Sequence, residues 1–248
     1  MRVRSIVISL LLSLLALSLP CSNAGAATIF SDDFNGGNTA GWTFYGSNSS
    51  AWSVPDGRLH HNAPSGYTGE VEFALIDGII TPDQFTLEAD ISVISSIHGS
   101  DWGHVGLVWG VTDLIAPFES FNTSYLRTHL DHVTNWSYLN GFSPGEQYLN
   151  RPGATNGVTY HLSVDVDYLI RSMTVTMGPY STIFTGTNFD RINQNTGGGI
   201  GLISWNDHIT FDNVLLSTST PIPEPSTMFL LGFGLLGLAG YARKQMKK

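Results

Sequence analysis

The chain has 248 residues, of which 12% are charged and 11% aromatic, with a formal net charge of −9 and one cysteine. That acidity disfavours nucleic acid as a partner, because phosphate contacts need clustered cations. A single cysteine excludes an internal disulfide framework.

The N-terminus reads as an address. Arg2 and Arg4 precede a leucine-rich apolar core from Ile6 to Leu19, and Ala24-Gly25-Ala26 supplies small residues at a cleavage site. Residues 1–26 are therefore expected to be a signal peptide, removed by signal peptidase before Ala27. Pro20 stands where a small residue should precede a lipidated cysteine, so Cys21 is not expected to carry lipid. Cleavage after Ala26 also removes that cysteine, leaving a mature protein without disulfides.

Residues 28–218 form one domain by length. The stretch from 28 to 220 holds five arginines, no lysine and nineteen acids, a net charge of −14. Such a charge keeps an exported protein soluble. It suits neutral sugars or bound calcium better than anionic partners.

Period-two alternation recurs along this domain, as expected of strands buried on one face. Phe85, Leu87, Ala89, Ile91 and Val93 alternate with Thr86, Glu88, Asp90 and Ser92. Val105 to Val111 is apolar nearly throughout and reads as a central strand. Tyr160, Leu162, Val164 and Val166 form another alternating set, and Met173, Val175 and Met177 a third. Ile209 and Phe211 give way to Val214 and Leu216, a shift of one that predicts a bulge at Asp212-Asn213. Turn signals at Pro55-Asp56-Gly57, Asn156-Gly157 and Gly197-Gly198-Gly199 separate the runs. No amphipathic helix is expected between Thr28 and Thr220. The fold class is therefore all-β, a two-sheet antiparallel sandwich or jelly roll.

Candidate chemistry is sparse. Residues two apart on a strand face the same way, so Glu88 and Asp90 offer two acids on one face, as do Glu70 and Glu72. These are the weak catalytic candidates. The favoured reading of both pairs is that they solvate the outer face of half-buried strands. There is no nucleophile elbow of the G-x-S-x-G kind, and the glycines from Gly197 to Gly201 precede a strand, so they read as a turn. His129, Asp131 and His132 cluster, but positions three apart on a strand point to opposite faces, which does not suit a metal. His60-His61 reads as a satisfied or exposed pair. Among the six tryptophans, Trp42, Trp52 and Trp109 are expected in the core. Trp102 and Trp136, beside Asn135 and Tyr138, form the candidate carbohydrate platform. Asp32, Asp33 and Asp212 would meet if the terminal strands pair, and oxygen ligands from loops suit calcium.

The C-terminus is a second address. A linker, 219–226, carries Pro223-Glu224-Pro225, followed by an uncharged stretch at 227–242 and a basic end at 243–248 with Arg243, Lys244, Lys247 and Lys248. Sixteen residues span about 24 Å of helix, short of the roughly 30 Å hydrocarbon core. The four cations would stay cytoplasmic, so the folded domain faces outward.

Triplet, short apolar helix and basic end together resemble the PEP-CTERM sorting signal. The resemblance implies export by a Gram-negative bacterium and a transient stay in the inner membrane. Cleavage by an exosortase and release to the cell surface or extracellular matrix would follow, in cells that make extracellular polysaccharide. The domain has its own resemblance. Its opening, DDFNGGNTAGWTFYGSNSSAWSVPDGRL, and its closing GGGIGLISWNDHITFDNVLL resemble the terminal strands of concanavalin A-like lectin/glucanase (laminin G-like) domains. That family implies that the first and last strands pair. The stretch SDWGHVGLVWGVTD followed by SYLRTHL is similar to the calcium-binding C-terminal lectin-like domain of thrombospondins, which makes Asp101 and Asp113 calcium candidates. Glucanases of the laminarinase-like type carry E-x-D-x-x-E, and here the third acid is replaced by Val93.

The sequence thus points to an exported surface or matrix protein that binds carbohydrate or extracellular polysaccharide and is not an enzyme. A glycoside hydrolase or lyase on the same fold, and a structural matrix protein without a specific ligand, are the alternatives.

Overall fold

Strand alternation in the sequence becomes two stacked antiparallel sheets. The computed structural model describes residues 26–62, 71–96, 104–112, 120–127, 132–139, 147–151, 155–192, 197–205 and 207–218, all inside the unit Ala26–Thr220. The chain opens with β1 (Thr28–Asp32), β2 (Trp42–Tyr45), β3 (Trp52–Ser53), β4 (Leu59–Asn62) and β5 (Val71–Ile80). Next come β6 (Gln84–Ser96), β7 (His104–Val111), β8 (Ser120–Arg127), β9 (His132–Leu139) and β10 (Gln147–Asn150). It closes with β11 (Tyr160–Asp167), β12 (Ser172–Met177), β13 (Tyr180–Thr185), β14 (Gly199–Trp205) and β15 (Asp207–Ser217). Among the described residues the only helical elements are two 3₁₀ turns, Ser49–Ala51 and Phe189–Arg191.

The eight-stranded sheet runs β13-β12-β11-β6-β15-β4-β3, with β1 also paired to β15. The seven-stranded sheet runs β10-β9-β8-β7-β14-β5-β2. The first and last strands do pair, Asp32 opposite Val214 and Ser31 opposite Leu215. The apolar run at Val105 to Val111 lies inside the second sheet, between β8 and β14.

The core lies between the sheets. Phe85, Leu87, Ala89, Ile91 and Val93 of β6 pack with Leu162, Val164 and Val166 of β11 and Met173, Val175 and Met177 of β12 against Val105, Leu107, Trp109 and Leu202. Each fully buried aliphatic or aromatic side chain contributes about 1.5–3 kcal/mol over leaving it exposed. Trp42, Trp52 and Trp109 are all buried. The Trp109 indole N–H donates to the Tyr168 hydroxyl at 3.1 Å, giving its one polar atom a partner inside the core. Burial pushes the pKa of that phenol above its ordinary value.

The bulge falls where the pattern places it. Pairing of β15 with β6 shifts register between Asp212 and Leu215. Asn213 sits there at φ 49°, a left-handed conformation that asparagine tolerates better than most residues. The extra residue lets Phe211 and Val214, three positions apart, both face the core.

Candidate ligand-binding site

The outward face of the eight-stranded sheet gathers the polar side chains of β6, β11 and β15. Antiparallel register sets His161 opposite Asp90 and Ser163 opposite Glu88. On the other side of β6, Asp212 stands opposite Asp90 and Leu215 opposite Glu88. The His161 ring lies between the two acids, with Nδ1 2.8 Å from Asp90 Oδ1 and Nε2 3.7 Å from Glu88 Oε2. Asn213, turned outward by the bulge, donates its amide to the second Asp90 oxygen at 2.8 Å. Glu88, Asp90, His161 and Asn213 line an open groove of about 570 Å³, together with Asp32, Asp33 and Leu215. Partial burial raises the pKa of Asp212, and the neighbouring Asp90 and Asp33 carboxylates add to the rise against a backbone hydrogen bond from Asn213. Hydrogen bonds from Asn35 hold Asp33 below the usual carboxylate range.

Glu88 and Asp90 therefore do share one face, as alternation requires. Val93, at the third acid position of the glucanase pattern, is buried in the core. His161 and Asn213 are site residues that the sequence reading missed. His161 stands on the outward phase of β11, but its meeting with Asp90 depends on pairing with a strand some seventy positions earlier. The one available signal for Asn213 was the predicted bulge.

Of the calcium candidates, Asp32 and Asp212 lie among the described residues. Strand pairing brings Asp32 to the groove beside Asp33, but one Asp32 oxygen accepts the Phe34 backbone N–H at 2.8 Å and the other the Trp42 indole N–H at 2.8 Å. Asp32 is committed to fixing the first turn. Among the described residues no group of three or more His, Cys, Asp or Glu is arranged to hold a metal ion. Asp101 and Asp113 lie outside the described residues, as do Glu70, Trp102, His129 and Asp131.

Of the proposed carbohydrate platform, only the Asn135 side chain lies among the described residues. Asn135 is buried between the sheets, 5% exposed, its carbonyl accepting from the Ser124 hydroxyl and its amide donating to the Gln147 carbonyl at 3.4 Å. It ties β8, β9 and β10 together internally and is not a surface contact, a correction that follows from strand alternation. Trp136 and Tyr138 pair through the backbone with Thr123 and Phe121. Their side chains, and that of His132, lie outside the described residues. Of the adjacent histidines, His61 is buried against Trp52 with ring centroids 4.7 Å apart, and its Nδ1 is 2.8 Å from the Ser204 hydroxyl. His60 faces outward, where burial and the His60 ring together hold the pKa of His208 below that of a free imidazole.

The outward face of the seven-stranded sheet differs. Phe73, Leu75, Val108, Val111, Phe121 and Ile203 form a second apolar cluster there, none more than 5% exposed, with Tyr45 and Val71 packed against it.

Comparison with known proteins decides the two resemblances. The family model for the PEP-CTERM protein-sorting motif matches residues 221–244. The tail is a PEP-CTERM sorting signal. A PEP-CTERM tail implies an exported protein that is held transiently in the membrane and processed by an exosortase. The domain is similar to the VIP36 exoplasmic/lumenal domain in its Ca²⁺/Man3GlcNAc-bound form, with TM-score 0.58 and 11% identity over 81% of this chain and 93% of that one. It is similar to a β-glucanase of Bacillus licheniformis, with TM-score 0.53 and 15% identity over 79% and 99%. It also resembles carbohydrate-binding module CBM66 of Bacillus subtilis, with TM-score 0.50 and 16% identity over 72% and 96%. At such identities the likeness establishes the fold alone, a two-sheet antiparallel β-sandwich of the kind seen in these lectin, glucanase and carbohydrate-binding domains. No curated protein matches the sequence.

Proposed function

We propose that the PEP-CTERM protein is a non-catalytic, polysaccharide-binding component of a Gram-negative cell surface or matrix, its leader removed by signal peptidase. Sugar hydroxyls are held in the groove of Glu88, Asp90, His161 and Asn213, beside the apolar Leu215. The observation that carries the reading is the state of Asp90. Both its oxygens are engaged, one by His161 and one by Asn213. An acid so fixed serves as a rigid acceptor for hydroxyls, and the groove volume is that of an ordinary ligand site. Similar solved structures include a carbohydrate-binding module and a glycan-bound lectin domain, which supports the ligand class. Trp102, Trp136 and Tyr138 are further proposed contacts, and calcium through Asp101 and Asp113 a proposed cofactor.

Placement of Glu88 and Asp90 on one face favours a second reading, a hydrolase. A glycan array of the exported protein, with and without a chelator, combined with an assay for released reducing sugar, separates the two. Binding without turnover is expected. Turnover abolished by Glu88→Gln would establish the hydrolase instead, and a flat array in both conditions would leave only a structural role.

A further inference from the structure

A second polar cluster, separate from the groove, lies on the outward face of the eight-stranded sheet at its β15-β4 pairing. Register places Thr210 opposite His60 and Asn62 opposite His208, so the two histidines are diagonal neighbours on one face. Their nitrogens point at each other, His60 Nδ1 lying 3.2 Å from His208 Nε2 with ring centroids 5.5 Å apart. The far nitrogen of His60, Nε2, is 2.7 Å from Asp56 Oδ1, and the other oxygen of Asp56 accepts from Arg58 at 2.9 Å.

We infer that His60 and His208 form a two-imidazole site for a first-row transition-metal ion such as Cu²⁺, Ni²⁺ or Zn²⁺. Geometry favours it. Two nitrogens bound tetrahedrally at metal–nitrogen distances of about 2.0–2.1 Å stand roughly 3.3 Å apart, against the 3.2 Å found here. Tautomer chemistry agrees. A carboxylate only accepts, so the bond to Asp56 requires a proton on His60 Nε2, leaving the Nδ1 lone pair directed at His208. In the metal-free pair, His208 Nε2–H donates to that lone pair. On metal binding the His208 proton moves to its own Nδ1, and both facing nitrogens become ligands with no net proton released. Asp56 then occupies the position of the carboxylate that orients a metal-bound histidine through its other nitrogen. Imidazole nitrogens select Cu, Ni or Zn over calcium, which prefers oxygen. Two protein ligands are present, and water completes the coordination. The His60 side chain is 12% exposed and Asp56 43%, so the site is ordered by its surroundings yet open to solvent.

The test is titration of the exported protein with Cu²⁺, Ni²⁺ or Zn²⁺ alone, followed by calorimetry. Saturation is expected at one high-affinity ion per chain, with Cu²⁺ bound most tightly. His60→Gln and His208→Gln should each weaken that binding at least tenfold, and Asp56→Asn by about tenfold. His161→Gln, in the other cluster, should leave it unchanged. Electron paramagnetic resonance of the Cu²⁺ form should show two nitrogen donors, and Zn²⁺ should shift the imidazole resonances of both His60 and His208 in the unsubstituted protein. The spectroscopic readouts stand even if a variant fails to fold. Unchanged affinity in folded His208→Gln, loss of binding in His161→Gln, or no shift of the two imidazoles would overturn the proposal.

Discussion

The two sheets are buried in different ways. On the eight-stranded sheet, β6, β11 and β12 turn most of their apolar residues inward, the exposed Ile94 of β6 being an exception, and the outer face carries Thr86, Glu88, Asp90, His161, Ser163 and Thr174. On the seven-stranded sheet, β8 is buried at seven of its eight positions, on both faces. Its inward side even includes Asn122 and Ser124, each at most 1% exposed, while Phe121 and Tyr125 are buried on the other side. A sheet wet on one face can display chemistry without losing its core. The central strands of the seven-stranded sheet are buried on both faces.

The largest effect that tests this contrast is at Phe121. It packs edge-on against Phe73 at 5.3 Å on the outward face of the seven-stranded sheet. Phe121→Ala should cost about 3–5 kcal/mol in denaturant unfolding, as for a core phenylalanine. Thr174→Ala, outward on the eight-stranded sheet, should change stability by less than about 0.5 kcal/mol. Equal small costs at both positions would erase the distinction between the faces.

Next in size is Asp32, which holds two donors of the first turn. Asp32→Ala should destabilise by about 1–3 kcal/mol, because the indole N–H of the buried Trp42 and the Phe34 amide lose their acceptor. Added calcium should not shift the unfolding midpoint through this residue, and a calcium-dependent midpoint lost in the variant would contradict its structural assignment.

A smaller cost is expected at the bulge. Asn213→Ala puts a less tolerant residue at φ 49° and removes the amide from Asp90, so about 1–2 kcal/mol should be lost. Asn213→Gly keeps the backbone relaxed, and thermal unfolding should place it between Asn and Ala.

The smallest effect is a pH dependence. Because the pKa of Asp212 is raised in the fold, its contribution is fully present when the group is protonated in both states, below the ordinary carboxylate range. That contribution is lost as pH rises through the raised folded value. Asp212→Asn should therefore be more stable than the parent at neutral pH, by less than about 1 kcal/mol for so exposed a group. The difference should vanish near pH 3, and a variant less stable at pH 7 would reverse the assigned direction.

How much the sequence reveals follows the same division between sheets. Period-two alternation marked β6, β11 and β12 because one face is wet, and the slip from Phe211 to Val214 marked the bulge. Strand β8 showed no such period, since polar Asn122, Thr123 and Ser124 are buried and the pattern does not separate its faces. The two-residue β3 is too short to carry any period. Asn135 sits beside tryptophan and tyrosine in the sequence, but burial and its bonds to Ser124 and Gln147 depend on pairing with β8 and β10, which the local pattern does not show. The groove was half visible: Glu88 and Asp90 stand on one strand, but His161 joins them only through long-range pairing. His60 and His208 are separated by almost the whole domain and meet only because β4 pairs with the last strand.

The central claim is that the outward face of the eight-stranded sheet holds the polysaccharide. Its most direct test is calorimetric titration of an array-selected glycan into the exported protein and into a folded His161→Ala/Asn213→Ala double variant. The account predicts at least a tenfold loss of affinity in the variant. Unchanged affinity in the folded double variant would contradict it.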